Sequence, residues 1–333
     1  MQAHILDRYG KGQTLRLGDW PDPVPAADEV LVEVHAAGLN PLDGKIRDGA
    51  FKPILPYKPP FLLGHDLAGI VVSVGANVRR FQRGDAVYAR ARDGHIGSFA
   101  ERIAVNESDL AMKPASLSMA EAAAIPLAGL TAWQALVERA ALKQGQKILI
   151  HAGSGGVGVM AIQLAKHLGA TVATTTSAAN ADLVRSLGAD IVIDYRSQDF
   201  TTLLSDYDVV LNSLDAATLE RSLAVLKPGG RLISISGPPD PAFARTQGLN
   251  AVLGMLLRLM SARIRRKAKR AGVAYSFLFM RADGAQLARL SELIEGGSLR
   301  PVVDRTVPFA QLNDALAYVD TGRAKGKVVV GIR

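Results

Sequence analysis

The chain has 333 residues, with 39 Lys and Arg against 31 Asp and Glu for a formal charge of +8, and it contains no cysteine. At 48% hydrophobic and 21% charged residues it has the make-up of a chain that buries a core, which excludes a disordered or collagen-like protein. The missing cysteine excludes disulfides, thiolate nucleophiles, iron–sulfur clusters and every zinc site that needs a Cys ligand.

No stretch reaches the roughly 18 uninterrupted apolar residues of a membrane span. The start, Met1-Gln-Ala-His-Ile-Leu-Asp7, lacks the basic-then-apolar pattern of a signal peptide. The expectation is therefore a cytoplasmic protein without a membrane span, long enough for two domains. Its positive charge is concentrated in Arg258, Arg263, Arg265, Arg266, Lys267, Lys269 and Arg270, with no acid among them. Such a run reads either as a solvated helix face or as a patch for nucleic acid, lipid or a partner. The absence of any aromatic residue in it speaks against nucleic acid.

The first third reads as β-rich. Val30–His35 alternates apolar and polar residues as a half-buried strand does, and Leu67–Val74 and Asp85–Ala89 are further strand candidates. Between them, Gly49–Pro60 carries Pro53, Pro56, Pro59 and Pro60, too many for a helix interior or central strand. It is expected to be an ordered surface loop or a lid. From Met119 to Arg139 the sequence predicts two short helices with a break near Pro126.

Strands then alternate with helices. Strands are expected at Lys147–His151, Thr171–Thr175, Ile191–Asp194, Asp208–Asn212 and Arg231–Ser236, the last after a tight turn at Pro228–Gly230. Helices are expected at Gly156–Leu168, Ala179–Leu187 and Ala216–Leu226. Repeated βαβ units of this length imply an α/β fold with a doubly wound parallel sheet. The tail predicts a strand at Tyr275–Met280, a helix at Ala285–Ile294, an extended segment at Pro301–Asp304, a helix at Phe309–Asp320 and a final strand at Lys327–Ile332. The organisation is discontinuous: a β-rich domain from residues 1–121 and 299–333, with a nucleotide-binding domain at 122–298 inserted.

The sharpest motif is Gly153-Ser154-Gly155-Gly156-Val157-Gly158, directly after a strand and opening a helix. In that context Gly153 permits the tight turn, Gly155 lets the backbone approach a pyrophosphate, and Gly158 lets the helix pack on the strand. The helix N-terminus then offers unpaired N–H groups to phosphate. About 20 residues further on, where an NAD site places an acid for the ribose, the sequence has Thr174-Thr-Thr-Ser177-Ala-Ala-Asn180. Ser177 can donate to a 2′-phosphate that a carboxylate would repel, so the cofactor reading is NADPH rather than NADH. Arg185 either adds charge there or is simply solvated.

The chain resembles the medium-chain dehydrogenase/reductase superfamily, in its zinc-free quinone oxidoreductase (zeta-crystallin-like) branch. The resemblance rests on Ala36-Ala-Gly-Leu-Asn40-Pro-Leu-Asp43, Leu63-Gly-His65-Asp66-Leu-Ala-Gly69, Phe81-Gln-Arg-Gly84-Asp85-Ala-Val-Tyr88 and Gly129-Leu-Thr131-Ala-Trp133. The glycine motif, Leu187-Gly-Ala-Asp190 and Gly326-Lys-Val-Val-Val330 complete the set, and the match covers essentially the whole chain. It implies a GroES-like β-rich catalytic domain and a Rossmann cofactor domain. It also implies that Ser154, Gly156 and Val157 touch the pyrophosphate and that Ser177 and Tyr195 hold the 2′-phosphate end. Asn212 closes a strand of the cofactor domain, Thr131 lies near the nicotinamide half, and Phe279 approaches the cofactor from the far side. Tyr195 and Phe279 each keep the alternative of a packing role. The run Tyr275–Met280 resembles a subgroup that includes reticulon-interacting mitochondrial oxidoreductases and plastid enone reductases.

Zinc alcohol dehydrogenases of that superfamily take catalytic metal from Cys, His and a second Cys. Here Asn40 stands at the first position, His65 and Asp66 are kept, and Leu127–Thr131 offers no third ligand, so no metal is expected. His65 then reads as structural or substrate-shaping. Without a Lewis acid, quinones or α,β-unsaturated carbonyls are the better hydride acceptors, since charge delocalises to a distant oxygen. Asn40 is the donor candidate for that oxygen. Asp43 is either its orienter or a turn or helix-cap residue before Gly44. The expected partner is a small hydrophobic electrophile, and a homodimer is compatible with the sequence. Two alternatives stay open: an enoyl-thioester or 2-haloacrylate reductase, and a redox-quiet NADPH-binding protein whose basic run binds RNA, lipid or a partner.

Overall fold

The alternating segment near the N-terminus becomes the long central strand of a β-rich unit in the computed structural model, which describes residues 1–333. Eight strands come from this part of the chain. They are β1 (Gln2–Leu6), β2 (Arg16–Asp19), β3 (Glu29–Leu39), β4 (Phe61–Leu62), β5 (Asp66–Val74), β6 (Ala86–Arg90), β7 (Arg102–Asn106) and β8 (Leu110–Met112). In β3 the residues Val30, Val32 and Val34 are fully buried while their neighbours are partly exposed, the period-two pattern of a sheet with one dry face.

The proline-rich segment between the first helix, Pro41–Arg47, and β4 has neither helix nor strand. It is pinned by aromatic packing, because Tyr57 stacks on Phe61 at 5.1 Å and Tyr9 lies 5.6 Å from the same ring. The Tyr9 hydroxyl also donates to the Tyr57 carbonyl at 2.6 Å. Burial pushes the Tyr57 phenol up to about 12, so this hydroxyl stays protonated and accepts from the Gly94 N–H.

A second unit spans Thr131–Met280. Its strands are β9 (Lys147–Ile150), β10 (Thr171–Thr176), β11 (Ile191–Asp194), β12 (Tyr207–Asn212), β13 (Leu226–Ser234) and β14 (Ala274–Phe277), in the spatial order β11-β10-β9-β12-β13-β14 with every pairing parallel. The order reverses between β9 and β12, so their carboxyl ends flank a topological switch point. Leu149, Ala173, Val210 and Leu232 from four strands pack with Leu219, Ile264 and Ala268 in one core cluster. Pro228–Gly230, expected as a turn before a strand, lies inside β13 as an irregularity: Tyr207 pairs with Leu226, but Val209 pairs with Arg231. The extra residues are absorbed as a bulge, which two glycines and a proline tolerate.

The chain then returns to the first unit, Met1–Leu130 with Arg281–Arg333, adding β15 (Val303–Pro308) and β16 (Lys327–Gly331). The larger sheet there runs β15-β16-β3-β5-β6-β8 with β7 also on β3, beside a three-stranded sheet β2-β1-β4. The division at 130 and 280 differs from the limits 121 and 298 read from the sequence. At the second junction the cause is visible in the helix Gly284–Glu295, which seats on the first unit. Tyr88 Oη donates to the Leu287 carbonyl at 2.7 Å, and a Cβ on Gly284 would stand 2.2 Å from the Leu110 carbonyl oxygen.

Candidate active site

The glycine motif forms a tight cradle at the carboxyl end of β9. A Cβ on Gly153 would lie 2.0 Å from Thr174 Oγ1, and one on Gly158 would lie 2.4 Å from the Ala152 carbonyl oxygen. Both positions are closed to any side chain. At Gly155, the N-cap of the twelve-residue helix Gly156–His167, the nearest atom to such a Cβ is 3.3 Å away. The glycines thus differ: Gly153 and Gly158 let the protein pack on itself, whereas around Gly155 the Ala152 carbonyl oxygen is the one atom within 4 Å.

Ser154 is fixed by two donors, Thr176 Oγ1 at 3.0 Å and Asn180 Nδ2 at 3.1 Å. Ser177 follows β10 directly, half-buried, and its hydroxyl has no hydrogen-bond partner within the protein. Tyr195 follows β11, 59% exposed, with its N–H donating to the Thr176 carbonyl at 3.2 Å, so it lies beside the Ser177 turn. The Arg196 guanidinium lies 5.8 Å from the Tyr195 ring centre.

Asn212 ends β12, fully buried. Its Oδ1 accepts from Ser234 Oγ at 3.2 Å and Ser236 Oγ at 3.3 Å, whereas Nδ2 is buried with no partner. An unmet buried donor is costly unless a ligand supplies the acceptor. The second unit therefore gathers the glycine turn, Ser154, Ser177, Tyr195 and Asn212 at one rim of its sheet. Thr131 is buried in the helix Pro126–Trp133, and Phe279 follows β14 in edge contact with Phe243 at 5.5 Å.

His151, between β9 and the glycine turn, was not singled out from the sequence. Its ring nitrogens meet Thr175 Oγ1 at 3.1 Å and Ser222 Oγ at 2.9 Å, which braces the turn. Burial, with the Arg221 charge adding to it, pushes its pKa down to about 4. The unfolded chain takes up this proton near the ordinary value of 6.5, so the braced state is fully stable above that pH and loses stability as pH falls toward 4. The loss should be about 3 kcal/mol. Urea unfolding at pH 7 and near pH 4 should show it, and His151→Gln should lose correspondingly less over that interval; equal losses in the two proteins would refute the assignment.

Asn40 and Asp43 belong to the first unit, where they join a buried polar network. Asn40 caps the helix Pro41–Arg47, and Asp43 Oδ2 accepts the Asn40 N–H at 2.8 Å. Asp43 Oδ1 meets His65 Nδ1 at 2.7 Å, both side chains having no exposure. Asp43 thus caps the helix and orients His65 at once. Because the carboxylate accepts at Nδ1, His65 presents Nε2 on its other side, and that atom is buried with no partner.

The Asn40 amide donates to Asp66 Oδ2 at 3.0 Å and to the Gly38 carbonyl at 3.4 Å, and its Oδ1 accepts from the Lys327 ammonium. Lys327 also pairs with Asp66 Oδ2 at 3.0 Å, while Asp66 Oδ1 accepts the Leu127 N–H at 2.8 Å. Asn40 therefore reaches any substrate oxygen only by giving up an acceptor it already has.

Comparison with known proteins gives the family. A model described as an alcohol dehydrogenase GroES-like domain matches residues 26–115, and one described as a zinc-binding dehydrogenase matches residues 187–330. The 2-methylene-furan-3-one reductase of Solanum lycopersicum is 38% identical, over 99% of this chain and 79% of that protein. The chloroplastic NADPH-dependent alkenal/one oxidoreductase of Arabidopsis thaliana is 37% identical over the same shares. The quinone oxidoreductase structure from Coxiella burnetii superposes with a TM-score of 0.87 at 31% identity, covering 100% of this chain and 99% of that one. The chain belongs to the medium-chain dehydrogenase/reductase superfamily.

Within that superfamily one description names zinc, and this network does not fit the metal. The cation between Asp66 and Asn40 is the protein's own Lys327 ammonium, and no three His, Asp or Glu side chains come together to form a ligand set. Lys327 is the residue sequence reasoning overlooked. Its signal was a lone lysine opening the apolar strand Lys327–Gly331, where it is 5% exposed. Asn180, at the end of the Thr174–Asn180 stretch, and Arg196, next to Tyr195, were given no role from the sequence, because the contacts that bring them to Ser154 and Tyr195 are set by the fold.

Proposed function

We propose that the protein is an NADPH-dependent reductase of quinones or α,β-unsaturated carbonyls that works by hydride transfer without zinc. The observation that carries this reading is the buried Lys327–Asp66–Asn40 network, in which a fixed ammonium is bonded to Asn40, the residue at the first zinc-ligand position of the alcohol dehydrogenases. The relatives named for alkenal/one, furanone and quinone substrates support the same reaction class.

In this reading Gly155, Gly156 and Val157 offer backbone N–H groups to the cofactor pyrophosphate, with Ser154 held in place by Thr176 and Asn180. Ser177, Tyr195 and the neighbouring Arg196 take the 2′-phosphate; the free Ser177 hydroxyl donates and Arg196 supplies charge. The unmet Nδ2 of Asn212 receives an acceptor from the bound cofactor, while Thr131 and Phe279 border its nicotinamide half. When bound, NADPH supplies a hydride from its nicotinamide C4. Asn40 and Asp43 then act as positioning residues: Asn40 holds Lys327 and Asp66 in place, and Asp43 fixes the tautomer of His65.

NADPH oxidation against a panel of quinones, enones, enoyl thioesters and aldehydes tests the proposal. Quinones or enones should be the fastest acceptors, and saturated alcohols with NADP⁺ should be very poor substrates. Chelators should leave the rate unchanged, and elemental analysis should find no stoichiometric zinc. Faster oxidation of alcohols, or zinc-restored activity after chelation, would overturn the reading. Fastest turnover of enoyl thioesters would move the substrate class, and no turnover with any acceptor would favour a redox-quiet NADPH-binding protein.

A further inference from the structure

The stretch between β13 and β14 holds a surface that the cofactor chemistry does not use. It folds into the helices Pro241–Thr246, Ala251–Met260 and Ala262–Arg270. Leu257 of the second helix is buried, but Val252, Met255, Leu256, Leu259 and Met260 are 81%, 55%, 52%, 65% and 55% exposed. Residues 252, 255, 256 and 259 follow helical spacing, so they form one apolar row that faces water. Scattered apolar residues on a surface need no explanation, whereas a contiguous row of large ones marks a contact.

The third helix buries Ile264 and Ala268 in the sheet core and turns its cations outward. Glu220 pairs with Arg263 at 2.7 Å and Lys267 at 2.6 Å. Arg258, Arg265, Arg266, Lys269 and Arg270 have no carboxylate partner. Four of them, Arg258, Arg265, Arg266 and Lys269, line a cavity of about 250 Å³ at the elbow between the two helices, together with Leu259 and Ala262. The cavity wall itself is mainly apolar, yet like charges carried by four residues around it repel unless anions join them.

We propose that this elbow docks the protein on an anionic phospholipid surface, with lipid phosphates at the unpaired cations around the cavity and Val252, Met255, Leu256 and Leu259 in the headgroup–acyl boundary. The apolar row beside an excess of Lys and Arg is the pattern of a helix lying in a membrane interface. No helix of the protein is long and apolar enough to cross a membrane, so the contact is peripheral. RNA would satisfy the cations but not the apolar row, which carries no aromatic ring for base stacking. A second copy would satisfy the row but bring five unpaired cations against five more.

The test is co-sedimentation of the full chain with phosphatidylcholine vesicles, with and without phosphatidylglycerol. Binding should require phosphatidylglycerol and weaken as salt rises. The triple variant Arg265→Gln/Arg266→Gln/Lys269→Gln should bind on the order of a hundredfold more weakly, since each cation at such a surface is worth about a factor of five. Leu256→Ser/Leu259→Ser should also lose binding, with an unchanged melting temperature showing that it folds. In Leu256→Trp, vesicles should shift the new indole emission to shorter wavelength. Binding without preference for phosphatidylglycerol, unchanged binding by the triple variant, or tighter binding to single-stranded RNA than to vesicles would each overturn the proposal. So would a solution dimer that the leucine variant splits.

Discussion

Lys327→Met is expected to destabilise the first unit by about 3–5 kcal/mol, the usual cost of removing one partner from a buried ion pair. Lys327 is 5% exposed and Asp66 is fully buried, so water cannot replace the lost ammonium. Asp66 would keep the Leu127 N–H and the Asn40 amide, both neutral donors, around a full negative charge. Asn40 Oδ1 would lose its donor as well. At this scale a unit of this size should melt about 10 °C lower. Pairing the change with Asp66→Asn removes the stranded charge yet leaves an oxygen for Leu127, so the double variant should recover most of the loss. If it recovered nothing, Lys327 would matter through packing of its stem and not as a counter-charge. Asn40→Ala should be milder, and in the proposed reaction it should lower kcat more than it weakens NADPH binding, because it loosens the network and leaves the cradle intact.

How far the sequence reaches depends on the range of the interaction. The parallel sheet was legible because each βαβ unit carries its own signal: an apolar strand, a glycine stop and a periodic helix within about thirty residues. The cradle was legible for the same reason, since Gly153, Gly155 and Gly158 act within six positions of each other, and β9 and the helix Gly156–His167 appear where expected. The network around Asn40 was legible only in fragments. Asn40, His65 and Asp66 stood in readable motifs, but the residue that joins Asn40 to Asp66 with a charge comes from position 327, brought over by antiparallel pairing of β16 with β3. No local pattern announces such a partner. The helix Gly284–Glu295 shows the same limit, because its periodicity fixed its existence while its seat on β8 depends on Gly284 and Leu287 meeting Leu110 and Tyr88. The exposed row Val252–Met260 escaped notice because an apolar stretch reads as core until its burial is seen.

Ser177→Asp is expected to reverse or erase the preference for NADPH over NADH. Ser177 sits at the end of β10, directly before the turn that leads to Asn180, and its hydroxyl is uncommitted within the protein. In the proposed complex that hydroxyl donates to the 2′-phosphate, with Tyr195 and Arg196 at the end of the neighbouring β11. A carboxylate at 177 would stand about 4 Å from a group of nearly two negative charges, a repulsion of about 2 kcal/mol in fully screening water and more where the rim is partly dry. NADPH affinity should therefore fall by about thirtyfold or more, while NADH, which presents two ribose hydroxyls at that place, should gain a bidentate acceptor. Titration of both cofactors against the native protein and the variant, followed by fluorescence, separates the outcomes. Arg196→Ala should weaken NADPH alone and leave NADH unchanged, which distinguishes a lost phosphate contact from a distorted turn. Equal affinity for the two cofactors in the native protein would remove the basis for assigning Ser177, Tyr195 and Arg196 to the phosphate. The proposed role of the Gly155 cradle would be untouched by that result, because in that proposal it holds the pyrophosphate that both cofactors share.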